Sequence, residues 1–169
     1  MESTNLQRRA FLRGKSPRLK PNAIHPPWSL EASAFIEKCT RCDECISACP
    51  EKILKKGDGG YPEVNFIAGE CTFCAKCVEA CDSGAFKKMA TKGDDLKPED
   101  AWNLNITFKE NCLSLNAVIC RACGDHCDEQ AIQFKLKLGG ISEPQVDHEE
   151  CTGCGACVSV CPVRAVKIS

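Results

Sequence analysis

The chain has 169 residues, enough for one ordinary domain or two small ones, and no stretch of it approaches twenty apolar residues, which excludes a membrane span. Aromatic content is low, at 6%, with seven Phe, two Trp and one Tyr, so two modules of about sixty residues would each have a thin apolar core. The net charge of −1 hides an asymmetry: residues 1–20 carry Arg8, Arg9, Arg13, Lys15, Arg18 and Lys20 against Glu2 alone, about +5 by count, which leaves about −6 on the rest.

The chain therefore opens on a basic arm, taken as residues 1–28. Such an arm can seek an acidic protein surface, anionic lipid or nucleic acid, or stay solvated. Nucleic acid has no further support, because no basic–aromatic interleaving follows. Within the arm, Arg8-Arg9-Ala10-Phe11-Leu12 resembles the core of a twin-arginine export signal. What comes next, Gly14 to Pro21, is polar, charged and broken by proline where an export signal needs an apolar stretch, so a signal-like or partner-binding arm on a cytoplasmic protein is expected. His25-Pro26-Pro27-Trp28 closes the arm; it reads as a docking element or, more commonly for such a cluster, as packing against its own domain.

From here the cysteines organise everything. The first run is Cys39-Thr-Arg-Cys42-Asp-Glu-Cys45-Ile-Ser-Ala-Cys49-Pro50. A short helical turn, Lys52-Ile53-Leu54, then a glycine-rich turn over 55–62 and a returning strand at Val64-Asn65-Phe66 are expected to follow. The second run is Cys71-Thr-Phe-Cys74-Ala-Lys-Cys77-Val-Glu-Ala-Cys81-Asp82. Charged, proline-broken residues 91–103 read as a linker. Asn105-Ile-Thr-Phe108 is expected to pair with the closing Ala165-Val-Lys-Ile168. The third run has a stretched opening: Cys112, seven residues, then Cys120-Arg-Ala-Cys123-Gly-Asp-His-Cys127. Residues 131–136 alternate with period two, Gly139-Gly140 turns, and Pro144-Gln145-Val146 returns as a second hairpin. The fourth run, Cys151-Thr-Gly-Cys154-Gly-Ala-Cys157-Val-Ser-Val-Cys161-Pro162, completes the repeat. All sixteen cysteines fall in these runs.

The spacing has a chemical reason. A cubane core needs four thiolates converging on it, and two-residue gaps let three cysteines wrap one corner with backbone N–H groups pointing at the sulfurs. The fourth cysteine, three residues on, has turned away and in two-cluster ferredoxins ligates the other cluster. By that rule Cys39, Cys42, Cys45 and Cys81 hold cluster one, and Cys71, Cys74, Cys77 and Cys49 hold cluster two. Cys112, Cys120, Cys123 and Cys161 hold cluster three, and Cys151, Cys154, Cys157 and Cys127 hold cluster four. The cofactors are thus four 4Fe–4S clusters, their iron bound through the same sixteen cysteines. Structural zinc wants two Cys pairs held well apart, which fits badly; a disulfide scaffold belongs to small secreted chains and would not demand this repeated spacing. His126 lies inside the third run, but sixteen thiolates already satisfy four cubanes.

The predicted fold is α+β: two tandem bacterial-type two-cluster ferredoxin modules, pseudo-two-fold βαβ-like repeats packed around 4Fe–4S clusters. Module one is placed at 29–90, the linker at 91–103 and module two at 104–169. Because the clusters stand in for a core, the apo-protein is expected to be largely unfolded. Cys81 and Cys127 lack the following proline, and the gap after Cys112 makes cluster three the one expected to be labile or incomplete.

The four-run layout, the Arg-Arg-x-Phe-Leu arm, Pro26-Pro-Trp-Ser29, Cys39-Thr-Arg-Cys42, Gly59-Gly-Tyr-Pro-x-Val-Asn-Phe66 and the stretched third run together resemble the NapF family, ferredoxin-type accessory proteins of the periplasmic nitrate reductase system. The resemblance covers nearly the whole chain. It implies a cytoplasmic maturation factor that contacts the catalytic subunit of periplasmic nitrate reductase before export and assists its iron–sulfur cluster assembly, the basic arm with Arg8 and Arg9 being one docking handle. The alternative is a soluble polyferredoxin electron carrier. Enzymatic activity is not expected, since no nucleophile–base pair or phosphate loop occurs and no thiol is left over for catalysis.

Overall fold

A computed structural model describes residues 23–87 and 96–169; the paired arginines of the basic arm and part of the linker lie outside them. Among the described residues no helix is long and apolar enough to cross a membrane. The chain forms short helices and strands in two similar arrangements. The first comprises helix α1 (Ala32–Lys38), helix α2 (Glu44–Ala48), strand β1 (Leu54–Lys56), strand β2 (Pro62–Val64) and helix α3 (Lys76–Glu79). The second comprises strand β3 (Ile106–Phe108), helix α4 (Ala122–Asp125), strands β4 (Ile132–Leu136) and β5 (Ser142–Val146), helix α5 (Ala156–Ser159) and strand β6 (Val166–Ile168).

The described strands pair antiparallel and in twos. Leu54 faces Val64 in the first hairpin, and Ile132 faces Val146 in the second. Ile106 faces Ile168 where β3 meets β6, closing the second arrangement end to end. The first closes at the matching place with a single bridge, Ser29 to Phe86, flanked by bonds from Leu30 N–H to the Ala85 carbonyl (3.0 Å) and from Lys87 N–H to the Trp28 carbonyl (2.8 Å). In place of the helical turn expected at 52–54, Lys52 takes a left-handed conformation, φ 53°, and Leu54 already opens β1. The returning strand stops at Val64; Asn65 then donates to the Ile53 carbonyl (2.7 Å), and Phe66 leaves the hairpin.

The larger core contains Phe35, Ile53, Leu54, Tyr61, Phe66 and Phe86 together with Cys45 and Cys77; the smaller consists of Ile106, Ile132, Cys157 and Val166. Cysteines thus stand inside both cores. Residues on either side of the first arrangement close over it. Trp28 is 0% exposed; its indole N–H donates to the Lys97 carbonyl (2.9 Å) and its amide to the Ala101 carbonyl (2.9 Å). The Trp102 indole N–H donates to the His25 carbonyl (2.9 Å). Trp28 is thus buried and Trp102 partly buried, each with its polar atom satisfied, and Pro26-Pro27-Trp28 packs against its own domain.

Candidate metal centres

Four cavities gather the sixteen cysteines in sets of four, and Cys71 of site two also reaches the wall of site four. Cys39, Cys42, Cys45 and Cys81 line site one. Cys49, Cys71, Cys74 and Cys77 line site two. Cys112, Cys120, Cys123 and Cys161 line site three, and Cys127, Cys151, Cys154 and Cys157 line site four. In every set three cysteines come from one run and the fourth from its neighbour. Cys45 and Cys49 stand on and just after α2, Cys77 and Cys81 on and after α3, so the packed helix pair carries cysteines to sites one and two at once. Helices α4 and α5 do the same for sites three and four.

The local geometry repeats in three runs. The residues on either side of the second cysteine are left-handed: Arg41 and Asp43 (φ 60° and 68°), Phe73 and Ala75 (51° and 56°), Gly153 and Gly155 (73° and 86°). A non-glycine residue held there costs on the order of 1 kcal/mol, and the return is visible in the hydrogen bonds. The left-handed residue two positions after the first cysteine directs its amide at that sulfur: Arg41 at Cys39, Phe73 at Cys71 (3.4 Å), Gly153 at Cys151. The fourth cysteine of each run is followed three residues on by another left-handed residue: Lys52, Gly84, Gln130 and Arg164. That bend turns the chain away after the cysteine has reached the neighbouring site.

The third run lacks the left-handed pair. Its seven-residue opening contains a 3₁₀ turn at Ser114–Asn116 and a left-handed Ala117, and Arg121, after the second cysteine, has φ −130°. Ser114 is pinned instead through its hydroxyl to the Ser142 carbonyl in β5, and Ile119, just before Cys120, is 98% exposed.

Burial pushes the metal-free thiols up from their ordinary 9.0, to about 12 at Cys45, Cys71, Cys77 and Cys157 and to about 11 at Cys123, with neighbouring cysteines adding to the effect. These thiols are neutral near pH 7 without metal, so a metal must displace protons and insertion is favoured by rising pH. Among the described residues no three His, Cys, Asp or Glu gather tightly enough for a single ion. Each four-cysteine set instead surrounds a cavity, a soft all-sulfur donor set suited to a multi-iron core. His126 lies on the wall of site four, away from the site-three cysteines that share its run.

Two stretches of the chain match the model of the 4Fe-4S dicluster domain, residues 38–85 and 118–165, so that Cys112 falls just outside the second match. The ferredoxin-type protein NapF of Haemophilus influenzae is 47% identical over all of this chain and 97% of its own length. The Escherichia coli K12 protein of the same name is 45% identical, covering 94% of this chain and 92% of the relative. The ferredoxin-type protein NapG of Escherichia coli K12 is more distant, at 29% over 86% of this chain. With both dicluster matches lying on the runs that build the four cavities, the chain belongs to the NapF family of ferredoxin-type 4Fe–4S proteins.

Proposed function

We propose that each cavity holds one 4Fe–4S cluster through its four cysteines, the fourth ligand being crossed between neighbouring runs, in two tandem ferredoxin modules. Such clusters supply one-electron chemistry and can themselves be cargo. The crossed assignment has a direct test. Cys49→Ala is expected to remove about a quarter of the iron and to expose Cys71, Cys74 and Cys77 to alkylation, read by mass spectrometry. Alkylation of Cys39, Cys42 and Cys45 instead would mean that each run ligates its own cluster.

The function that follows is a cytoplasmic accessory role: maturation of the catalytic subunit of periplasmic nitrate reductase before export, by assisting assembly of its iron–sulfur cluster. Family membership supports the system, and the carrying observation for the mechanism is site three. Its ligand run lacks the left-handed pair of the other three, and exposed Val118 and Ile119 adjoin Cys120. A cluster held there is the one placed to leave. In transfer, thiolates of the partner form bonds to iron as the bonds to Cys112, Cys120, Cys123 and Cys161 break. The released cysteines take up protons, and no electron needs to be supplied. A role for Arg8 and Arg9 in partner docking belongs to the same proposal.

The test is the iron and acid-labile sulfide content of the catalytic subunit, purified anaerobically from cells lacking this protein. A subunit short of its cluster is the expected result. A full complement would overturn assembly and leave the electron-carrier reading, which the crossed pairing of sites serves equally well.

A further inference from the structure

Site four differs from the other three in one respect: its walls are completed by residues of the other arrangement. Its cavity measures about 280 Å³, against about 20 Å³ at each of the others, because it runs on between the two arrangements and is lined also by Glu70, Thr72 and Phe73. Two contacts cross there. The Cys71 amide donates to the Cys154 carbonyl at 2.8 Å, joining a cysteine of site two to a cysteine of site four through one peptide bond on each side. Phe66, 4% exposed, lies against Gly155, where any Cβ would fall on its ring. Leu104 lies beside Gly153 at ordinary contact distance, 3.5 Å from where a Cβ would stand. Phe66 is held from behind by Trp102 (ring centroids 5.7 Å apart), which also meets Phe73 (5.9 Å).

The Phe66 contact explains why glycine stands at position 155 of the fourth run. The corresponding residues Arg41, Asp43, Phe73 and Ala75 carry side chains in the same backbone conformation. Left-handed geometry therefore does not by itself require glycine at 155; close approach by Phe66 does.

We infer that site four is a composite site, in which Phe66 and the Cys71 amide of module one hold the loop bearing Cys151, Cys154 and Cys157 in its ligating shape. Phe66 is a positioning residue for the fourth cluster, and sites two and four become the inner pair of one row ordered one, two, four, three. The inference rests on reading the cavities as cluster sites.

The test uses the full-length, cluster-loaded protein, challenged anaerobically with an iron chelator while released iron is followed. Phe66→Ala is expected to speed release of about a quarter of the iron by at least about tenfold, and Phe66→Leu to restore most of the retention. In a Cys151→Ser background, where site four is already lost, Phe66→Ala is expected to change nothing further. Unchanged release in Phe66→Ala, or equal acceleration with and without Cys151, would overturn the inference. Wild type and Cys151→Ser holding the same iron would instead overturn the reading of site four as a cluster site. A readout that general loosening would not move is the electron paramagnetic resonance of the reduced protein. Phe66→Ala, before iron is lost, is expected to alter the lines that Cys151→Ser removes and to leave the others.

Discussion

Stripped anaerobically of iron and sulfide, the chain is expected to lose its cooperative fold, with far-ultraviolet circular dichroism falling toward that of an unfolded chain. No local element can stand alone. The helices that carry cysteines run four or five residues, against roughly 12–15 needed for even marginal stability in isolation. Several of the strands are three residues long and pair only in twos, below what holds a free sheet together. The apolar clusters are built around Cys45, Cys77 and Cys157, whose sulfurs face the cavities. A structural metal site contributes on the order of 10 kcal/mol, comparable with the whole stability of a small domain, about 5–15 kcal/mol. Loss should be uneven, since Trp28, Phe35, Phe86 and Trp102 give the first arrangement an apolar set that the second lacks. Both tryptophans report on that part, so their fluorescence is expected to change less steeply than the dichroism. Native-like dichroism after complete iron removal would overturn the expectation.

The sequence made the cysteine grammar and the hairpins legible because both depend on local spacing. Alternation over 131–136 and the Gly139-Gly140 turn appear as β4 and β5, and the pairing of 105–108 with 165–168 appears as β3 with β6. Left-handed Arg41, Phe73 and Ala75 were not legible, because nothing in those side chains favours that conformation. An amide aimed at the sulfur of a cysteine two residues back offsets the strain, and residue type alone does not announce it. Lys52 is a similar case: Cys49-Pro50 followed by Ile53-Leu54 reads as a helical turn until the chain is required to bend after its cysteine. Phe66 looked like the end of a strand and instead fills the junction beside Gly155. The available signal was the doubled glycine of the fourth run, which marks a close approach without naming the residue that makes it. Trp102 sits in a stretch whose charges and proline mark a linker, yet its ring packs on Phe66 and Phe73.

Iron release from the loaded wild-type protein under an anaerobic chelator is expected to be biphasic, with about a quarter of the iron leaving first and from site three. Two physical orderings compete. Exposure ranks sites one and two ahead, since Cys42 and Cys74 are the exposed cysteines among the sixteen. Loop geometry ranks site three ahead, because the run from Cys112 to Cys123 lacks the left-handed pair that flanks Cys42, Cys74 and Cys154. Geometry should win, because the slow step is departure of a thiolate from iron rather than arrival of the chelator. A sulfur-directed amide of the kind Phe73 gives Cys71 contributes about 1.5–3 kcal/mol to a charged acceptor, so gaining one would slow release by roughly tenfold to a hundredfold. Replacing residues 113–119 by Thr-Gly would give the third run the opening of the fourth, and is expected to merge the two phases by slowing the fast one. Alkylation during the fast phase should mark Cys112, Cys120, Cys123 and Cys161. A single phase in the wild type, or early alkylation of Cys42 and Cys74, would mean that exposure governs retention, and site three would lose its claim to be the source of a transferable cluster.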